Sequence, residues 1–131
     1  MINKKLNIAI IGLGNIGSYL YKYLKTNKEI LSKKNNCVPN IIFVSAKNRS
    51  KKRNIKINKK NWLKNYLDAT KSKNVDIIIE LIGGAEGAAK KLVFNALKNK
   101  KHVVTANKAL IAKYGDQLSK IAEHNKVNLE F

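Results

Sequence analysis

Cysteine is almost missing from this sequence: Cys37 is the single one among 131 residues. An internal disulfide and a thiolate metal site both need partners, so neither is expected. His102 and His124 have no second ligand at metal-binding spacing, and no metal site is predicted. Cys37 is therefore expected to be a small packed residue.

Long apolar runs are missing as well. No stretch approaches the roughly 18 consecutive apolar residues of a membrane-spanning helix. The apolar run near the start, in "MINKKLNIAIIGLG", ends in glycines and is too short for a secretory signal followed by a cleavage site. We therefore expect a soluble cytoplasmic protein without a membrane partner.

Acidic residues are scarce, with 8 against 27 basic ones and a formal net charge of +19. Such a charge can indicate nucleic-acid binding. However, Arg49 and Arg53 are the only arginines, and lysines mixed with asparagines are scattered over the chain. Few aromatic residues besides Trp62 and Tyr66 accompany the basic runs. The pattern favours solvated surfaces over a nucleic-acid site, which stays as an alternative.

Apolar β-branched runs alternate with helical patterns along the whole chain, which has 44% hydrophobic residues and no composition break. This predicts one domain over residues 1–131. The predicted strands are 7–11, 40–46, 75–82, 102–106 and 126–131. The predicted helices start at Asn15 and cover about 61–69, 86–98, 107–113 and 115–124, with an irregular lysine-rich connection over 47–60.

Strands that are apolar on both faces and alternate with helices are typical of a parallel sheet covered on both sides. Right-handed crossovers connect such strands. The predicted fold class is α/β, a doubly wound parallel sheet of the Rossmann type flanked by helices.

A glycine pattern, "IGLGNIGS", joins the first predicted strand to the first helix. Gly12, Gly14 and Gly17 match G-x-G-x-x-G in the strand–turn–helix context that dinucleotide binding requires. The first glycine makes the tight turn, the second lets the backbone approach a pyrophosphate, and the third lets the helix pack on the strand. The predicted pyrophosphate-binding residues are Gly12, Leu13, Gly14, Asn15, Ile16 and Gly17.

The end of the second strand decides which dinucleotide is preferred. An acid there binds the ribose 2′-hydroxyl of NAD, whereas a basic residue accommodates the 2′-phosphate of NADP. No acid occurs between Glu29 and Asp68, and the strand runs into the basic stretch from Lys47 to Arg53. NADP is therefore the preferred prediction, and NAD stays open.

Four segments together resemble the N-terminal nucleotide-binding domain of homoserine dehydrogenase: "IGLGNIGS", "VSAKNRSKKR", "VDIIIELIGG" and "KKHVVTANKALIAKYG". The last two are the specific ones, because a generic dinucleotide-binding domain needs neither. The resemblance implies an NAD(P)-dependent oxidoreductase that interconverts L-homoserine and L-aspartate 4-semialdehyde, in threonine and methionine biosynthesis.

The resemblance also implies residue roles. Lys47 stands where the family's 2′-phosphate-binding arginine would be, and Arg53 is a second candidate for that phosphate. The loop Ile82, Gly83 and Gly84 would pass the nicotinamide ribose. Thr105 and Lys108 would face the nicotinamide and the substrate. Lys108 follows a parallel strand and its ammonium could hold or polarise an oxygen near the reacting ring, so it is the catalytic candidate.

This sequence departs from the family in two respects. Lys47 and Asn48 replace the usual arginine–aspartate pair, which leaves the cofactor preference less certain. The family continues beyond this point into a substrate-binding and dimerisation domain, so the chain is expected to bind cofactor without catalysis and the full-length protein to be a homo-oligomer. The alternatives are the cofactor domain of a related enzyme such as aspartate dehydrogenase, and a non-catalytic nucleotide-sensing module.

Overall fold

A five-stranded parallel sheet forms the centre of the molecule. The computed structural model describes residues 4–131, and in that range the strand order is β2-β1-β3-β4-β5. The strands are β1 (Lys4–Ile11), β2 (Cys37–Ser45), β3 (Ile77–Glu80), β4 (His102–Thr105) and β5 (Leu129–Glu130). The helices are α1 (Asn15–Thr26), α2 (Lys28–Asn35), α3 (Asp68–Lys71), α4 (Ala88–Lys98) and α5 (Lys108–Asn125).

The two faces of the sheet carry separate apolar clusters. Side chains alternate along a strand, so in β1 Ala9 and Ile11 point to one face while Ile8 and Ile10 point to the other. The first face is covered by α3, α4 and α5, and the second by α1. The predicted α/β class, with a parallel sheet buried from both sides, is confirmed.

Several predicted boundaries were wrong. Helix α5 is continuous through Gly115, where the sequence pattern had indicated two helices. An isolated glycine costs a helix only about 1 kcal/mol, and the buried Leu110 and Leu118 hold both halves of α5 on the core. Helix α2 was not predicted as a separate element. Strand β2 begins before Pro39, which an edge strand tolerates because its free side needs no N–H donor.

The segment predicted as a helix over 61–69 has a different structure. It contains a 3₁₀ turn at Lys59–Asn61, a single parallel bridge between Val44 and Trp62, and the short α3. Leu63 N–H donates to the Val44 carbonyl at 2.9 Å. The chain therefore returns to the outer side of β2 and closes the connection that follows it.

No helix within residues 4–131 is long and apolar enough to cross a membrane.

Candidate functional site

A cavity of about 870 Å³ opens at the carboxyl end of the sheet. β1 lies between β2 and β3, so the loops that follow β1 and β3 separate at this point. Open α/β sheets bind ligands in such a crevice. The cavity is lined by Gly12, Leu13, Gly14, Lys47, Asn48, Lys51, Arg53, Lys64, Asn65, Tyr66, Leu81 and Ile82, among others.

The glycine turn is packed tightly at its first and third glycines. Gly12 has a φ of +108°, and a Cβ there would lie 2.6 Å from the Leu81 carbonyl. A Cβ on Gly17 would lie 2.0 Å from the Gly12 carbonyl oxygen. The predicted tight turn and the close approach of helix to strand are therefore both present.

Gly14 is different, because no atom lies within 4 Å of where its Cβ would stand. Gly14 lines the cavity and is the N-cap of α1, and no side chain in the described range caps this end of the helix. The first N–H groups of a helix attract an anion when they have no partner. Open space therefore lies where the sequence pattern predicts a pyrophosphate.

Lysines form the opposite wall of the cavity. Lys47, Lys51 and Lys64 all line it, and no acid occurs in this wall. None of the three ammonium groups has a hydrogen-bond or ion-pair partner within residues 4–131. The sequence did not indicate Lys64, because only the return of the chain past β2, through the bond from Leu63 N–H to the Val44 carbonyl, brings it to the cavity.

Arg53 also lines the cavity, but the backbone already holds most of its guanidinium. Nε donates to the Leu13 carbonyl at 2.9 Å, and Nη2 donates to that of Asn48 at 2.7 Å. Nη1 donates to the carbonyls of Arg49 and Lys51 at 3.2 and 3.1 Å. Since a guanidinium has five N–H groups, one is left for a ligand. Arg53 ties the basic loop to the glycine turn in addition to supplying charge.

Trp62 binds both arginines of the chain. The Arg49 and Arg53 guanidinium carbons lie 5.0 and 5.9 Å from the centre of its ring, within the range of cation–π attraction. Trp62 also packs against the apolar cluster that contains Ile8 and Ile10. It therefore joins the basic loop to the sheet.

The loops that follow β3 and β4 are joined by a buried polar network. Glu80, the last residue of β3, is fully buried; its Oε2 accepts from Ile82 N–H at 2.7 Å and from Gly83 N–H at 2.9 Å. Its Oε1 accepts from the Thr105 hydroxyl at 2.5 Å. Thr105 in turn accepts from Asn107 N–H at 3.0 Å.

Asn107 completes this network. Its amide nitrogen donates to the Gly84 carbonyl at 2.6 Å, and its amide oxygen accepts from Leu110 N–H at 3.1 Å, which caps α5. The predicted loop residues Ile82, Gly83 and Gly84 are exposed. The network binds them through their backbone groups. Ile82 alone of the three lines the cavity.

The structure does not bring every predicted residue into the cavity wall. Thr105 is buried and uses its hydroxyl within the network. Lys108 is exposed, and as the first residue of α5 it lies beyond the carboxyl end of β4. Their proposed roles at the nicotinamide stay predictions.

Glu86 holds the far end of the loop that follows β3. Its carboxylate accepts from Lys113 Nζ at 2.7 Å, from the Tyr114 hydroxyl, and from Lys90 Nζ at 3.4 Å. The hydrogen bonds from Lys113 and Tyr114 lower the pKa of Glu86 from 4.5 to about 2. The loop is thereby tethered to α4 and α5.

A parallel sheet with a glycine turn at its switch point, an uncapped helix and a basic wall defines a dinucleotide-binding domain of the Rossmann type. Residues 12–131 match the family model described as the NAD-binding domain of homoserine dehydrogenase. The chain belongs to this family, and the resemblance seen in its motifs is confirmed.

Sequence and structure similarities to individual proteins support this family assignment. Homoserine dehydrogenase of Bacillus subtilis is 36% identical over 128 residues, which are 98% of this chain and 29% of that protein. The crystal structure of S. aureus homoserine dehydrogenase has a TM-score of 0.89 at 36% identity, over 99% of this chain and 32% of that one. A hyperthermophilic archaeal homoserine dehydrogenase mutant in complex with NADPH has a TM-score of 0.75 at 23% identity, over 97% and 43%, and shares the fold.

The chain spans less than one third of the length of its bacterial relatives. It corresponds to their NAD-binding domain.

Proposed function

We propose that this chain binds NADP(H) in the cavity between the glycine turn and the basic loop. The observation that carries the proposal is Gly14, which faces open space beside the uncapped end of α1. The pyrophosphate would lie there and accept from the first N–H groups of the helix. The adenosine half would extend toward β2, and the nicotinamide half toward the loops after β3 and β4.

The preference for NADP rests on the basic wall. Lys47, Lys51 and Lys64 line the side of the cavity next to β2, and one N–H of Arg53 is also available. A hydrogen bond between charged groups contributes about 1.5 to 3 kcal/mol. NAD lacks the 2′-phosphate that would receive these bonds, so we expect it to bind more weakly.

The whole protein, by analogy with its relatives, would interconvert L-homoserine and L-aspartate 4-semialdehyde. The nicotinamide, when bound, would supply or accept the hydride. Lys108 would hold or polarise the substrate oxygen from the start of α5, and Thr105 would hold the loop next to it. A cytoplasmic location and a homo-oligomeric state of the full-length protein are part of the same proposal.

Calorimetric titration of the chain with NADPH and NADH tests the cofactor proposal. We expect NADPH to bind more tightly, and Lys47→Ala to weaken NADPH by about tenfold while leaving NADH nearly unchanged. Lys4→Ala is the matched control, because Lys4 begins β1 at the end of the strand that lies away from the cavity. Equal affinity for both nucleotides would contradict the NADP preference, and binding of neither would contradict the proposed site.

The chain by itself is not expected to oxidise homoserine, since it matches only the NAD-binding part of its relatives. An assay with L-homoserine and NADP, followed by the absorbance of the reduced nicotinamide, checks this. Steady formation of NADPH by the purified chain would show that the domain carries a complete active site.

A further inference from the structure

Glu80 is a fully buried acid to which the proposed function gives no role. No basic side chain pairs with it within residues 4–131, although lysine is abundant in this chain. Burying a carboxyl group is unfavourable unless its oxygens are hydrogen-bonded. Glu80 therefore depends on the three donors around it, and they depend on Glu80.

These donors belong to the two loops on the nicotinamide side of the cavity. Ile82 N–H and Gly83 N–H lie in the loop after β3, and the Thr105 hydroxyl lies at the end of β4. Glu80 and Thr105 are also paired in register across the sheet. One side chain thus fixes both loops relative to the strands.

The loop after β3 needs such support. Gly83 and Gly84 have φ values of +89° and +83°, and the space around Gly83 is open. Two adjacent glycines with little packing have many accessible backbone conformations. Glu80 restrains the first half of this loop, while Asn107 restrains Gly84 through its carbonyl.

We infer that Glu80 is a positioning residue: through Ile82, Gly83 and Thr105 it sets the geometry of the nicotinamide half of the cofactor site. The adenosine half is built by the glycine turn and the basic loop, with which Glu80 makes no hydrogen bond. A change at Glu80 therefore affects one half of the bound cofactor and spares the other. This inference rests on the proposed cofactor pose.

Two ligands distinguish effects on the nicotinamide half of the site from effects on the adenosine half. NADPH contacts the whole site, whereas adenosine 2′,5′-bisphosphate has only the adenosine end. Binding of both by the unaltered chain is measured first, by calorimetry. If neither binds, the proposed function itself fails and the inference fails with it.

Glu80→Gln is the informative variant because it nearly preserves shape. Its amide oxygen can still accept from Ile82 and Gly83, but its amide nitrogen can only donate to Thr105 Oγ1, so the Thr105 hydroxyl loses its acceptor. We expect the affinity for NADPH to fall about tenfold and that for the bisphosphate to stay within about twofold. We also expect the fluorescence emission of bound NADPH to shift toward that of the free nucleotide.

Thr105→Val breaks the same link from the other side, and it keeps the test open if Glu80→Gln does not fold. Thr105→Val also removes the acceptor of Asn107 N–H. In the double variant, the loss of NADPH affinity should be smaller than the sum of the two single losses, because the bond between Thr105 and Glu80 is lost in both single variants. An equal loss for both ligands would show that Glu80 merely supports the domain as a whole. Unchanged NADPH affinity and fluorescence in a folded variant would also overturn the inference.

Discussion

Two glycines of the same turn are required for different reasons. A Cβ on Gly17 would collide with the Gly12 carbonyl oxygen, whereas one on Gly14 would enter the open cavity. Gly17 therefore serves the packing of α1 on β1, and Gly14 leaves room for the proposed ligand. The spacing of this turn predicts both tasks from the sequence; the packing at Gly17 is confirmed, and the ligand role of Gly14 stays a prediction.

Alanine substitutions separate these tasks. We expect Gly17→Ala to lower the free energy of unfolding by about 1 to 3 kcal/mol, the usual range for overpacking, or to prevent folding. Gly14→Ala should cost at most about 1 kcal/mol of stability, because its φ of −74° suits alanine and only the N-cap preference for glycine is lost, but it should weaken dinucleotide binding strongly. Urea unfolding and NADPH titration measure the two effects. A stable Gly17→Ala variant would contradict the packing described here.

At the scale of secondary-structure elements, the start of α5 depends on Asn107. Its side chain caps the helix through Leu110 N–H and also binds the Gly84 carbonyl. We expect Asn107→Ala to cost about 0.5 to 2 kcal/mol of stability, the range for loss of an N-cap. Asn99→Ala is the control, because the exposed Asn99 amide contacts only the carbonyl of Asn95. Similar urea midpoints for both variants would contradict this role.

The tether between the loop after β3 and helix α5 should respond to acid. The pKa of Glu86 is lowered from 4.5 to about 2 by Lys113 and Tyr114, so its carboxylate stabilises the folded state fully above pH 4.5. This contribution is lost as the pH falls from about 4.5 through about 2.

Carboxyl NMR of the folded chain should therefore show Glu86 titrating near pH 2. Glu86→Gln should make the free energy of unfolding less dependent on pH in this acid window. Above about pH 5, roughly half a unit above the ordinary pKa, the pH dependence should be the same in both proteins. A measured pKa near 4.5 would mean that the tether does not form in solution.

At the scale of the whole molecule, the net charge of +19 attracts any anionic nucleotide. Screening limits this attraction, because the Debye length falls from about 30 Å at 0.01 M salt to about 10 Å at 0.1 M. Local contacts at the cavity wall are screened much less. The contribution of the total charge to nucleotide binding should therefore fall with salt more steeply than the contribution of the lysines that line the cavity.

Comparison of two lysines tests this distinction. Lys4 and the cavity lie at opposite ends of β1, roughly 25 Å apart for a strand of this length. We expect Lys4→Ala to weaken NADPH binding only at low salt, and Lys47→Ala to weaken it at every salt concentration. Parallel salt profiles for the two variants would indicate that binding depends on total charge alone.

The sequence by itself determined the five strands in their chain order, the glycine turn and the family. These depend on local periodicity and on short segments such as "IGLGNIGS" and "TANKALIA", whose information lies in neighbouring residues of the chain. The helix over 61–69 failed as a prediction because Trp62 pairs with β2 and binds two arginines. Neither partner is visible in the local pattern.

Only the tertiary structure decided which distant residues share a site. Lys64 joins Lys47 in one wall, and Glu80 meets Thr105 although they are 25 residues apart. The role of Arg53 also changed, since its guanidinium donates to carbonyls on the glycine turn and the basic loop. The physical reason is that parallel strands bring their carboxyl ends to one edge, and the contacts made there depend on strand order and loop paths rather than on neighbours in the chain.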